Sequence, residues 1–230
     1  MNYHSIYYAS EKIGRGGFPQ SQNTEMEAGR KVTDPDFIWN LRGDTKPHFK
    51  PYVGTLVLQD GSTITDFISS AVVSTGFVCS NKVEGLVKQA NFGNTHFYNL
   101  QIKHKEIIYS NYGLMHCLNN YVDKIDYERS RFKKMRIENN KWVSEPHSIR
   151  DYAEISQTKI DFTKNKYGEW SRLEPSEIYL TEKSKIEHDI FNIWGVTFRT
   201  YISEKLRTQF EKGKITGLQF NFDTEPLKIF

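Results

Sequence analysis

The most legible pattern in the chain is a short unit used twice. In "FVCSNKVEGLVKQANFGNTHFYNL" (Phe77–Leu100) a β-type pair leads to Ser80, and Val83, Leu86, Val87 and Ala90 then recur at three- and four-residue spacing. That spacing predicts a helix with one apolar stripe, and alternation resumes at Phe97 as in a strand. "YISEKLRTQFEKGKITGLQFNF" (Tyr201–Phe222) has the same design. Leu206 and Phe210 form its stripe, Glu204, Lys205, Arg207, Glu211 and Lys212 face water, and Leu218, Phe220 and Phe222 alternate. Placing Ser80 on Ser203 aligns the copies without gaps: Lys82 meets Lys205, Val83 meets Leu206, Val87 meets Phe210, Phe92 meets Ile215 and Phe97 meets Phe220. Each serine stands where an N-cap belongs. Gly93-Asn94 and Thr216-Gly217 stand where a chain leaving a helix uses left-handed backbone. Each copy therefore predicts strand, capped helix, turn and strand, packed through one face on a sheet.

Elsewhere the pattern is less regular. Residues 1–50 read as irregular, apart from "DPDFIWNL" (Asp34–Leu41). There Asp34 and Pro35 open a turn or short helix, and Phe37, Ile38, Trp39 and Leu41 supply apolar bulk. "IGRGGFPQ" (Ile13–Gln20) reads as a surface loop, because no Gly-Lys-Ser/Thr follows to make it a phosphate loop. "TLVLQDGSTITDF" (Thr55–Phe67) predicts a hairpin turning at Asp60-Gly61, with the return beginning at Ile64. In "YGLMHCL" Tyr112, Leu114, His116 and Leu118 share one face and Met115 and Cys117 the other, as in a strand buried on both sides. Glu174–Thr200 reads as a short strand or turn, a polar link, a short helix and a strand starting at Val196.

The resulting expectation is α+β: a mostly antiparallel twisted sheet with several short helices and two similar strand-helix-strand units. It is one domain over residues 1–230, with a two-lobe division at 1–140 and 141–230 as the alternative. The aromatic content, 14% with 13 Tyr and 15 Phe, fits a folded, strand-rich chain of 230 residues. The net charge of +3, from 31 basic and 28 acidic residues, gives no whole-molecule field toward nucleic acid or an anionic membrane. No secretory leader is read at the start and no stretch is apolar enough to span a bilayer. Cys79 and Cys117 sit in apolar surroundings without metal spacing, and they read as buried reduced thiols in a cytoplasmic protein.

Candidate chemistry is sparse. His116, Asp123, Asp126 and Ser130 are the most enzyme-like set, since a histidine, an acid and a serine brought together can form a triad. A core histidine is the simpler reading. The two repeat serines are explained by capping. The seven histidines carry no paired metal spacing, so no metal or cofactor is expected. The run Arg129, Arg131, Lys133, Lys134 and Arg136 is a candidate surface for phosphate or for an acidic protein, a solvated edge is its simpler reading, and without interleaved aromatics it does not read as a nucleic-acid platform.

"DPDFIWN", "GFVCSNKVEGLVKQANFGNTHFYNL", "YVDKIDYERSRF" and "TYISEKLRTQFEKGKITGLQF", in that order, resemble the imm-eleven type of immunity domain of bacterial polymorphic toxin systems. The likeness covers about residues 34–222. Pro35-Asp36-Phe37 with Trp39 matches an early family segment, Asp123, Asp126 and Ser130 match its middle, and the closing Ser-Glu-Lys-Leu…Ile-Thr-Gly-Leu-x-Phe is its most specific part. Cys79 before the first serine and Gly85 in the first helix depart from the pattern. The resemblance implies a non-enzymatic cytoplasmic antidote that binds the toxin encoded beside it and blocks it. It carries over no toxin-contact residue. On the residues alone, Arg129, Arg131, Lys133, Lys134 and Arg136 are the candidate toxin-binding set, with Ile13–Gln20 and Tyr167–Glu177 as further exposed segments. The alternative is an enzyme, a hydrolase or one that reverses a toxin's modification, using His116 and Asp126. A third class is a nucleic-acid module using the basic run, marked by salt-sensitive retention on a polyanion.

Overall fold

The computed structural model describes residues 3–9, 18–43, 45–138, 141–155, 171–181, 186–197, 199–220 and 228–229. In chain order it has β1 (Tyr3–Tyr8), β2 (Ser21–Glu25), β3 (Thr55–Leu58), β4 (Phe67–Ile68), β5 (Phe77–Ser80) and α1 (Asn81–Lys88). Next come β6 (Thr95–His104), β7 (Ile107–Cys117), β8 (Arg131–Glu138), β9 (Lys141–His147), β10 (Ser171–Glu177) and β11 (Tyr179–Leu180). The chain closes with β12 (Ile190–Asn192), β13 (Thr200–Ser203), α2 (Glu204–Lys212), β14 (Leu218–Phe220) and β15 (Lys228–Ile229). The strands build a six-stranded sheet ordered β2-β3-β6-β7-β5-β4, a four-stranded sheet ordered β12-β13-β1-β14, a three-stranded sheet ordered β10-β8-β9, and the pair β11-β15. Pairing within them is antiparallel except for β3 with β6 and β11 with β15. This is the α+β, mostly antiparallel arrangement that the pattern predicts.

The two units are present as read, β5-α1-β6 and β13-α2-β14, and the likeness runs further than the sequence suggests. In each, the two strands flank a third: β7 lies between β5 and β6, and β1 between β13 and β14. The registers agree residue by residue. Ser80 faces Tyr112 as Ser203 faces Tyr3, Phe97 faces Met115 as Phe220 faces Ile6, and Thr95 faces Cys117 as Leu218 faces Tyr8. The edge strands match too, Phe67 opposite Cys79 and Ile190 opposite Ile202. A four-stranded motif with one helix therefore occurs twice, and in the first copy β3 and β2 extend it beyond β6.

The helices bury their stripes in a shared core. Val83 and Val87 of α1 and Leu206 and Phe210 of α2 gather with Ile6, Phe67, Met115 and Ile202. Fully burying a side chain of this kind contributes roughly 1.5–3 kcal/mol. The opposite face of the six-stranded sheet covers a second core with Phe37, Ile38, Leu56, Ile102 and Leu114. β7 thus meets different cores on its two faces, Tyr112 and Leu114 on one and Met115 and Cys117 on the other, as its unbroken apolar run implies.

The serines hold the units through carboxylates. Ser203 Oγ donates to Asp189 Oδ1 (2.5 Å) and accepts from the Leu206 amide (3.2 Å), so it caps α2. Ser80 occupies the corresponding extended position, but its hydroxyl donates to Asp66 Oδ1 (2.8 Å) and accepts no helix amide. Capping by side chain is therefore corrected for the first copy. Each aspartate also reaches the helix exit of the other unit. Asp66 Oδ2 accepts from the Thr216 amide (3.0 Å), and Asp189 Oδ2 accepts from the Asn91 amide (2.9 Å). The exits use left-handed backbone at Gly93 and Gly217, as expected, and also at Lys214. At Gly217 (φ +80°) an added Cβ would stand 2.3 Å from the Phe67 carbonyl oxygen, so the turn needs glycine for space as well as conformation.

Several expectations are corrected. Residues 1–50 are not irregular, since they hold β1 and β2. The Thr55–Phe67 hairpin does not form: β2 and β6 occupy both edges of β3, so the chain after Asp60-Gly61 has no edge to return on. It is held instead by buried Gln20, whose amide donates to the Thr63 carbonyl and to Thr65 Oγ1. Gln20 is thus not part of a surface loop, and residues 13–17 lie outside the described ones. Asp34–Leu41 contains a short 3-10 helix (Ile38–Asn40) that buries Phe37, Ile38 and Leu41, whereas Trp39 stays 57% exposed with its Nε1–H on the Val72 carbonyl. The apolar run read as a helix in Glu174–Thr200 is strand β12, and the following strand starts at Thr200. β8 pairs with β9 across residue 140, and β1 pairs with β13 and β14. Residues 167–170 and Phe222 lie outside the described residues.

Candidate functional site

Topology brings equivalent stretches of the two central strands to one cavity of about 460 Å³. β1 supplies Ile6, Tyr7 and Tyr8, and β7 supplies Met115, His116 and Cys117, which are their register counterparts. The segment Val73–Phe77 and Trp194 complete most of the wall. Trp194 seats against backbone: a Cβ on Gly43 would lie 2.7 Å from its ring, so only glycine leaves it room. The Trp194 amide is fixed on Asn120 Oδ1 (2.9 Å).

Most polar side chains of this wall already have partners. Asn192 donates to the Cys117 carbonyl (2.7 Å) and accepts from Thr200 Oγ1 (2.6 Å), and Thr75 Oγ1 donates to the Leu41 carbonyl (3.3 Å). His116 differs. It is 1% exposed, its Nε2–H donates to the Arg42 carbonyl (2.8 Å), and its Nδ1 is buried with no hydrogen-bond partner among the described residues. Burial pushes the imidazole's pKa below its usual value, the Arg42 carbonyl acts the other way, and His96 adds to the lowering. A neutral ring that donates through Nε2 presents a lone pair at Nδ1. The neighbouring Cys117 thiol is pushed up to about 11, chiefly by burial, which keeps it protonated and a weak nucleophile.

The enzyme-like set read from the sequence is not assembled. Asp126 Oδ1 accepts from the Arg129 amide, and Ser130 Oγ accepts from the Tyr179 amide (3.0 Å). Asp123 pairs with Lys124 (3.0 Å). Among the described residues none of the three bonds to His116 or lines its cavity, so the relay a triad requires is not built. The middle motif instead ties the loop before β8 to β11. Ser80 and Ser203 are buried on aspartates within the frame.

The basic run is a strand whose neighbours carry acids. Arg131 stands opposite Glu177, Lys133 opposite Glu174, and Lys134 opposite Glu145. The Arg129 guanidinium lies over the Tyr179 ring (5.0 Å), and Arg131 donates to the Glu128 and Ser130 carbonyls. Arg136 pairs through the backbone with Ser171 and Val143. Four of the five cations thus fall along β8, with Arg129 in the turn before it, and cross-strand carboxylates face three of the four, which offsets charge that looked uncompensated in sequence. Elsewhere, Ile107 and Ile108 at the turn end of the β6-β7 hairpin are 58% and 57% exposed.

Reasoning from sequence missed Tyr7, Tyr8 and Trp194 as neighbours of His116. The aromatic run of β1 was the available signal, but nothing local says which strands it joins. Among the described residues no set of His, Cys, Asp and Glu is grouped to hold a metal, and no helix is long and apolar enough to cross a membrane. No protein-family model matches the chain, and no curated protein matches it.

Proposed function

We propose that this chain is an immunity protein of the imm-eleven type, a cytoplasmic antidote that neutralises a cognate bacterial toxin by direct binding and without catalysis of its own. The observation that carries the reading is the ordered series of motifs from "DPDFIWN" to "ITGLQF". It is supported by where those motifs fall. Phe37, Ser80, Ser203, Gly217 and Ser130 are buried positions of the frame, as suits a family whose common residues hold a scaffold while its contact surface varies with the toxin. A binding surface needs exposed anchors, and two kinds are present: the exposed cations Arg131 and Lys133 on one side of β8, and the apolar tip formed by Ile107 and Ile108.

The test is co-expression with the toxic domain encoded beside this gene. The expected result is restored growth together with a complex that co-purifies at fixed stoichiometry. Growth arrest that persists although the folded chain is abundant would overturn the proposal. A catalytic antidote is separated by His116→Gln. Under the binding reading a folded variant still protects, whereas an enzyme relying on His116 would keep its complex and lose protection.

A further inference from the structure

We infer that the cognate toxin docks on the face where the cavity between β1 and β7 reaches the surface, inserting one large apolar side chain carried on an acidic stretch. This deepens the immunity reading and rests on it. Phe18 lines the cavity and is 56% exposed, so the cavity opens to solvent along its ring. With a volume of about 460 Å³ and Val73, Phe77, Met115 and Trp194 in its walls, the opening offers room and apolar surface to a large side chain.

Trp39 supplies a second anchor on the same face. Its segment runs beside the cavity wall: Trp39 Nε1–H donates to the Val72 carbonyl (3.0 Å), and the Leu41 carbonyl accepts from Thr75 Oγ1 (3.3 Å). The segment then reaches Gly43, which lies against the Trp194 ring. The Trp39 ring stands edge-on to Phe37 (centroids 5.3 Å apart, 84°) and is still 57% exposed, so it is held in place before a partner arrives. A fixed aromatic ring loses little rotamer freedom on binding, and Trp is enriched among interface hot spots.

Charge indicates the partner's character. Arg42 is exposed on the same segment, and the Arg199 guanidinium lies over the ring of Tyr7 in the cavity wall (5.7 Å). Asp34 and Asp36, just upstream of Trp39, are both paired with Arg30 (3.3 and 2.7 Å). Acidic groups flanking the inserted side chain therefore meet cations at this rim. The other exposed anchors are poorer. Arg131 and Lys133 stand opposite Glu177 and Glu174, and Ile107 and Ile108, consecutive on β7, project to opposite sides of the hairpin.

In the test, the purified toxic domain encoded beside this gene is titrated by calorimetry into wild type and variants. Trp39→Ala and Phe18→Glu should each weaken binding by about thirtyfold or more, the scale of a hot spot, with circular dichroism unchanged. Arg131→Glu combined with Lys133→Glu should weaken it by less than about fivefold. Arg42→Glu should slow association at low salt and lose that effect at high salt. Deuterium exchange of wild type, which needs no variant, should slow at residues 39–43 and 73–77 in the complex. Three outcomes would overturn this surface and leave the immunity reading intact: both aromatic substitutions tolerated within about fivefold, faster association of Arg42→Glu, or exchange slowed at residues 131–138 alone. If wild type forms no complex, the immunity reading falls and this surface falls with it.

Discussion

The two repeated motifs are alike in strand order and register, yet they differ in how each is completed. The first, β5-α1-β6, takes its central strand from the chain that directly follows it, β7, and is widened by β3 and β2. The second, β13-α2-β14, takes its central strand from β1, on the far side of the sequence, and stays four strands wide. The second aspartate is buried where the first is only half-buried, and the second serine caps its helix where the first does not. Local pattern specifies the strand-helix-strand hook. The partner that fills the hook is chosen by tertiary pairing, and the smaller copy relies on a tighter polar knot.

The sharpest way to break this comparison is through the shared core. Phe210 and Val87 are equivalent positions, both buried. Phe210→Ala should cost roughly 3–5 kcal/mol, as large aromatic truncations in cores do. Val87→Ala removes two methyl groups and should cost about 2 kcal/mol once the cavity is included. Urea unfolding reads both. Equal losses would mean that the two helices do not share one core in proportion to the volume each inserts.

What the sequence revealed follows the same line. Val83, Val87, Leu206 and Phe210 announce themselves because helix periodicity is local, and Gly217 because its turn is. β1 and β2 do not. "SQNTE" has no apolar stripe to betray a strand, and "YHSIYY" is aromatic enough for one but finds its neighbours near residues 200–220. The absent hairpin after β3 is the converse case: a good Asp-Gly turn, overruled because both edges of β3 are taken by strands remote in sequence. His116 could be read as a core histidine. Its cavity could not, since the Arg42 carbonyl, Tyr7 and Trp194 arrive from three distant segments.

The serines give the next contrast. Ser203→Ala removes a cap and a buried hydroxyl-carboxylate bond together and should cost about 2 kcal/mol. Ser80→Ala removes one bond to half-buried Asp66 and should cost about 1 kcal/mol. Thermal or urea unfolding of the pair decides. If Ser80→Ala is the more damaging, the first serine does work that its hydrogen bonds do not display.

The central strands differ in titration. His116 of β7 corresponds to Tyr7 of β1, so the first unit's central strand carries an imidazole where the second carries a phenol. The imidazole's folded pKa lies below the usual 6.5, so between those two values the unfolded chain holds a proton that the folded chain refuses. Stability from this source is complete above about pH 6.5 and is lost as the pH falls from there toward the folded value. Urea midpoints measured from pH 8 to pH 5 should therefore fall less steeply in His116→Gln than in wild type. Identical slopes would show that His116 is protonated as readily in the fold as out of it.

The smallest differences belong to the exposed sides of the two helices. α1 carries Glu84 with Lys88 (2.5 Å) and α2 carries Arg207 with Glu211 (3.0 Å), each pair four residues apart. The first runs acid before base, the orientation that agrees with the helix dipole, and the second runs base before acid. Such pairs contribute only about 0.2–0.5 kcal/mol and are screened by salt. Lys88→Ala should therefore lower the melting temperature slightly at low ionic strength, and Arg207→Ala should do so by more. Each cation also lies over an equivalent ring, Lys88 over Phe97 (5.5 Å) and Arg207 over Phe220 (5.4 Å), but Arg207 further approaches the buried His4 ring (3.5 Å), a contact that ties α2 to β1 where β7 has Gly113. At high salt part of each difference should persist, because stem packing against an aromatic ring is not screened, and the larger remainder should belong to Arg207→Ala, which also loses its contact with His4. Equal remainders at high salt would show that the His4 contact adds nothing and would leave the polar knot of Asp189 and Ser203 to distinguish the second motif.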